Sequence, residues 1–183
     1  MKIIRTEIPD VLLIEPVFFG DERGWFMESF NERLFHEKLE SVGLPRSKIF
    51  VQDNHSCSHK GVLRGLHYQE QPYAQGKLVR VIKGAVYDVV VDLREESSTY
   101  LTWVGVELNT INNYMLWVPE GFAHGFLALE DDTHFLYKVT DYYNRIAERT
   151  IAWNDPLLAI KWPAVENYVL NSKDAEAKFM GLV

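Results

Sequence analysis

The stretch Gly61-Val-Leu-Arg-Gly-Leu-His-Tyr-Gln69 has the apolar character of a buried strand, yet it carries an arginine and a histidine. Arginine keeps its charge at any physiological pH, and histidine is the side chain that changes charge near neutrality. Burying such groups is costly unless partners offset the loss of water. A strand that accepts both is expected to line a cavity, with an anionic ligand beside a proton-transfer residue. Simple alternation puts Arg64 and His67 on opposite faces. Both reach one cavity only if the strand bends or bulges, and Gly65 is the expected place.

The flanking sequence reads as further strands: Lys2–Glu7, Val11–Pro16, an aromatic Gly24–Phe30, Ile49–His55, Lys77–Ile82, Ala85–Leu93, Leu101–Leu108, Tyr114–Val118, Ala123–Leu129 and Phe135–Asp141. Lys83-Gly84 reads as a tight hairpin turn. Asn31 is placed to cap a helix running to about Val42, with Gly43 as its stop and Leu34, Phe35, Leu39 and Val42 on one face. Lys173–Met180 reads as a short terminal helix. Val86 and Val90 on one face, and Tyr87, Val89 and Val91 on the other, suit a strand buried between layers. The expected class is mainly β, a sandwich or barrel with a few short helices. No repeat or linker divides the chain, so residues 1–183 are expected to form one domain.

Composition narrows the function. A net charge of −7 argues against nonspecific nucleic-acid binding, which needs a basic face. It leaves room for one anionic small molecule, because salt screens distant charges and a few local cations dominate a pocket. Cys57 is the single cysteine, so no intrachain disulfide forms, and a reducing compartment, the cytoplasm, is expected. The apolar run from Val11 to Phe19 is interrupted by Glu15 and Pro16 and is too short to span a bilayer, so no membrane association is expected.

Several residues are candidates for chemistry. A histidine in an apolar strand is often a satisfied core residue, but Arg64, Gln69 and Lys77 close to His67 together describe a site. His124 follows the turn residue Gly121 in Pro119-Glu-Gly-Phe-Ala-His-Gly125. Tyr137 is either a buried tyrosine with one structural hydrogen bond or an acid facing the histidine. Asp88, between valines, and Asp174, in the tail, are both candidates to orient a histidine.

The spacing Pro119-x-Gly121-x-x-His124 resembles the second motif of the cupin superfamily, and Gly61-x5-His67 resembles the opening of the first. Cupins often bind a metal through three histidines and a glutamate. Here the second histidine position is Gln69, and the glutamate position falls on Tyr73 or Ala74. Two ligands of four make a poor metal site, so no metal is expected to be required.

Further blocks run through the chain in order: Phe19-Gly-Asp-Glu-Arg-Gly24, Val51-Gln-Asp-Asn-His-Ser56, Gln75-Gly-Lys-Leu-Val-Arg80, Trp117–Phe126, Phe135-Leu-Tyr-Lys138, Trp153-Asn-Asp155 and Ser172-Lys-Asp174. With Leu63–Gln69 they resemble the dTDP-4-dehydrorhamnose 3,5-epimerase family over essentially the whole chain. The resemblance implies a cupin-type jelly roll, a homodimer, and no cofactor. It implies a dTDP-4-keto-6-deoxyhexose substrate, epimerised at C3 and C5 on the way to dTDP-L-rhamnose. It makes His67 the base, Tyr137 the opposing acid, Lys77 the enolate stabiliser and Asp174 the partner of His67. Arg23, Glu28, Gln52, Asp53, Asn54, Arg64, His124, Glu148 and Lys173 would bind substrate, with Tyr143 stacked on the thymine. The alternatives are a C3-only epimerase of another deoxysugar pathway, a metal-dependent cupin isomerase or oxygenase, and a non-catalytic nucleotide-sugar binder.

Overall fold

The computed structural model describes residues 1–181. Its strands are β1 (Lys2–Arg5), β2 (Leu12–Glu15), β3 (Phe19–Asp21), β4 (Gly24–Phe26), β5 (Gln52–Ser58), β6 (Leu63–Gln69), β7 (Lys77–Lys83), β8 (Ala85–Asp92), β9 (Trp103–Asn109), β10 (Met115–Val118), β11 (Phe122–Ala128), β12 (Thr133–Val139) and β13 (Glu148–Thr150). The helices are α1 (Glu32–Ser41) and the single turn α2 (Ser172–Ala175). One sheet has six strands in the order β1-β2-β10-β7-β12-β5, the other five in the order β13-β6-β11-β8-β9, and β3–β4 form a separate hairpin. The expected mainly β, two-sheet architecture is what the chain adopts. Among the described residues, no helix is long and apolar enough to cross a membrane.

Alternation along the strands divides the apolar residues among three cores. Val79 and Val81 of β7, Val86 and Val90 of β8, Phe122 and Phe126 of β11 and Phe135 of β12 meet between the sheets. Each such side chain contributes roughly 1.5–3 kcal/mol when withdrawn from water. The outer face of the larger sheet is covered by α1, whose Phe35 and Leu39 pack on Leu12, Ile14, Met115 and Trp117. The outer face of the smaller sheet is covered by the C-terminal segment, where Ile151 and Leu158 pack on Leu66, Val89, Val91 and Ala123. That cover brings the tail, and α2 with it, against β6.

Local chemistry explains the helix ends. The Asn31 side chain accepts a hydrogen bond from the Leu34 amide, and Gly43 leaves the helix at φ 81°. Four expectations need correction. Lys83-Gly84 is not a hairpin turn: β7 and β8 belong to different sheets, and Gly84 (φ 78°) turns a corner between them against Thr133. The strand expected at Ile49–His55 starts later, at Gln52, because its pairing is set by β12 (Val139 opposite Gln52, Thr133 opposite Ser58) while Phe50 packs under α1. The aromatic strand ends at Phe26 rather than Phe30, and the tail helix is confined to Ser172–Ala175. The short strands β3 and β13 have no apolar run to announce them.

Candidate active site

A cavity of about 430 Å³ lies between the sheets, within the usual range for a small-ligand site. Strands β5, β7 and β12 supply one wall and β6, β11 and β13 the other, with the α2 region closing one side. Among its lining residues are Gln52, Asn54, Arg64, His67, Lys77, His124, Tyr137, Tyr143, Glu148 and Lys173. Ten of the expected site residues are thus brought together from six strands, one loop and α2.

The bend expected at Gly65 is present. His124 is opposite His67, and Phe126 is opposite Arg64, with a register shift between the two pairs. Partners two apart on β11 are therefore three apart on β6, and both Arg64 and His67 come to the cavity face. Gly65 has φ 134°, and a Cβ there would sit 2.6 Å from Gly125 Cα, so neither strand tolerates a side chain at the crossing.

His67 and Asp174 form the first of two histidine–carboxylate pairs. His67 Nε2 lies 2.6 Å from Asp174 Oδ1, and the Gly65 amide donates to the other carboxylate oxygen at 3.3 Å. Asp174 is held in turn by its own amide, which donates to Asn171 Oδ1 at 2.8 Å as the N-cap contact of α2. The carboxylate is buried, whereas the His67 side chain keeps about a quarter of its surface open to the cavity. The second pair is buried more deeply: His124 Nε2 lies 2.9 Å from Asp88 Oδ1 and 3.0 Å from Oδ2. Burial raises the Asp88 carboxyl above its usual range, with His124 and Lys77 opposing that rise. Sequence left open whether Asp88 or Asp174 orients His67, and the geometry assigns Asp174 to His67 and Asp88 to His124.

Lys77 is buried and donates to the His67 carbonyl at 3.2 Å. Loss of water brings its ammonium down to about 8, against the pull of Asp88 and Glu148, which favour the charged form. The Tyr137 hydroxyl is raised, chiefly by burial, with Glu148 adding to the rise and Arg64 opposing it. The Arg64 guanidinium is held by neutral oxygens, Ser58 Oγ at 3.2 Å and the Cys57 carbonyl at 3.4 Å, so these partners leave its charge available to an anion. At the rim, Glu148 accepts from Lys173 at 2.8 Å and from the Tyr143 hydroxyl at 3.1 Å. Burial alone would raise the Glu148 carboxyl, but Lys173 and Tyr143 outweigh it and hold it low.

Three expected residues lie elsewhere in the chain. Arg23 pairs with Asp21 on the exposed β3–β4 hairpin, Glu28 accepts from Asn31 at the head of α1, and Asp53 pairs with Lys138 on the outer face of its sheet. Other cavity residues were not foreseen. Ser56 Oγ is buried without a hydrogen-bond partner among the described residues, and Gln75, Tyr68 and Asn171 also line the cavity. Only the alternation of Gln52, Asn54 and Ser56 along one strand could have pointed to Ser56. Gln69, at the position of a would-be metal ligand, is committed to structure: its Nε2 donates to the Tyr73 and Tyr142 carbonyls and its Oε1 accepts from the Asn144 amide.

Comparison with known proteins is consistent along the whole chain. A family model described as dTDP-4-dehydrorhamnose 3,5-epimerase matches residues 5–181. A relative of that name from Shigella flexneri is 57% identical over 174 residues, covering 95% of this chain and 93% of its own. A crystal structure of the Legionella pneumophila dTDP-6-deoxy-D-glucose-3,5-epimerase in complex with dTDP-4-keto-L-rhamnose superimposes with a TM-score of 0.92 at 49% identity, covering 100% of this chain and 94% of that one. A 3'-monoepimerase from Streptomyces bikiniensis in complex with dTDP-quinovose gives a TM-score of 0.86 at 32% identity, covering 97% and 87%.

Proposed function

Since the chain belongs to the dTDP-4-dehydrorhamnose 3,5-epimerase family and has its cupin-type fold, we propose that this cavity epimerises dTDP-4-dehydro-6-deoxy-D-glucose at C3 and C5, giving dTDP-4-dehydro-L-rhamnose. The protein is an isomerase of the dTDP-L-rhamnose pathway. The observation that carries the residue assignment is the His67–Asp174 pair, with the ring partly open to the cavity and Lys77 and Tyr137 on the facing wall.

The substrate supplies the activation. Its C4 ketone acidifies the protons on C3 and C5, because removal of either leaves an enolate. His67, its outer nitrogen fixed by Asp174, takes the proton. Negative charge then collects on the C4 oxygen, where Lys77 and the enclosed His124 are positioned donors. Inversion requires the new proton on the opposite face, and Tyr137 is the acid that gives it. No cofactor enters, since no electron leaves the sugar. Arg64 holds the diphosphate, Gln52, Asn54, Glu148 and Lys173 contact the nucleotide sugar, and Tyr143 stacks on the thymine.

Arg23, Glu28 and Asp53 need another route to substrate. The β3–β4 hairpin exposes Phe19, Trp25 and Phe26 beyond 60% each, a patch that calls for a cover. A second copy of the chain is the natural cover, and a homodimer built through this hairpin would deliver Arg23 and Glu28 to the partner's cavity. The expected site of action is the cytoplasm.

The test is incubation with the 4-keto substrate in deuterium oxide. Label at both C3 and C5 is expected. Label at C3 alone would establish the second reading, a C3-only epimerase, which the similarity to the 3'-monoepimerase favours.

A further inference from the structure

A second cluster of reactive side chains lies at the β5–β12 edge of the larger sheet. Cys57 and His134 are direct partners in the β5–β12 register, and Asp132 sits just before β12 at φ 51°. Cys57 Sγ is 3.2 Å from Asp132 Oδ1, and His134 Nε2 is 3.1 Å from the same oxygen. The three donor atoms all lie within 4.8 Å of one another. Ligands at about 2.0–2.3 Å in a tetrahedron stand roughly 3.3–3.8 Å apart, so little movement would be needed to share an ion.

The surrounding bonds orient these donors. His55 Nε2 lies 2.9 Å from His134 Nδ1. When His134 donates its Nδ1 proton to His55, its Nε2 lone pair faces the Asp132 oxygen, an arrangement that a shared cation satisfies. Lys83 pairs with the other oxygen of Asp132 and leaves Oδ1 turned toward Cys57 and His134. A thiolate with an imidazole selects zinc-like metals over magnesium or calcium, and three protein ligands leave a fourth position for water.

We propose that Cys57, Asp132 and His134 form a surface site for a divalent transition metal of the zinc class, with His55 fixing the His134 ring. Its three ligands are not among the cavity-lining residues, and the proposal does not depend on the reaction assigned there.

Cobalt(II) titrated into the full chain tests it, because cobalt bound to a thiolate has a near-ultraviolet charge-transfer band. One equivalent of band-forming cobalt per chain is expected, displaced by zinc. C57S should abolish the band, H134Q should weaken binding at least tenfold, and H55Q should weaken it about 10–100-fold, as loss of an orienting partner does. Circular dichroism of each variant separates loss of the site from loss of the fold. No thiolate band in the wild-type chain would overturn the proposal, as would H134Q binding cobalt with wild-type affinity.

Discussion

The two histidine–carboxylate pairs stand side by side, His67 opposite His124 across the β6–β11 ladder, yet they are built differently. The carboxylate of His67 comes from the far end of the chain and leaves about a quarter of the side chain open. The carboxylate of His124 comes from the adjacent strand β8, and the ring is nearly buried. An imidazole that must give and take protons needs access to substrate, whereas one that steadies developing charge gains from being dry and fixed. Lys77 adjoins both, bonded to the His67 carbonyl and pulled electrostatically by Asp88. On the proposed reaction, proton transfer would fall to the open pair and charge stabilisation to the closed one.

The largest way to break this division is at the tail. Asp174→Asn keeps the shape but offers His67 the wrong tautomer, and kcat should fall by roughly 10³–10⁴, as in other histidine–aspartate dyads. Nucleotide affinity, measured with dTDP, should be unchanged. Lys77→Ala should lower kcat by about 10²–10³ through loss of one oxyanion partner. The same lysine sets a pH limit: kcat/KM should decline above about pH 8, where its ammonium deprotonates, and Lys77→Arg should remove that decline.

Asp88→Asn sharpens the comparison from the closed side. It leaves His124 and Lys77 without their buried counter-charge and should cost about 3–5 kcal/mol by denaturant unfolding. It should also move the alkaline limit of kcat/KM below pH 8, because Asp88 favours the charged lysine. Lys77 also shapes stability in the wild-type chain. Its folded value of about 8 lies below its ordinary 10.5, so between these pH values the unfolded chain binds the extra proton. This residue's contribution should therefore raise stability by about 3 kcal/mol as pH climbs through that window, and the penalty is fully present below pH 8. The smallest effect belongs to the rim: Arg64→Ala should weaken dTDP binding roughly tenfold through one charge-assisted contact while leaving the sugar chemistry intact.

Much of this was legible in local sequence because local physics decides it. β-Branched runs announced β7 and β8, and Asn31 and Gly43 announced the ends of α1. Gly65 was legible as a bend because Arg64 and His67 had no other way to share a face. Lys83-Gly84 misled because a glycine at positive φ serves a hairpin and a corner between sheets equally well. Strand β5 was displaced because its bounds depend on β12, about eighty residues away, and its alternating polar residues carry no burial signal. The partner of His67 was ambiguous for the same reason. Asp88 is buried between valines as its neighbours suggest, whereas the burial of Asp174 depends on the docking of the tail against β6. Arg23 and Glu28 lie outside the cavity of their own chain, which no local sequence pattern announces.

The division between the two pairs is tested most directly by substrate proton exchange with deuterium oxide in His67→Ala and His124→Ala, each first shown to bind dTDP. Exchange at C3 and C5 should vanish in His67→Ala and persist, slowed by about 10²–10³, in His124→Ala. Wild-type exchange in His67→Ala would contradict the account.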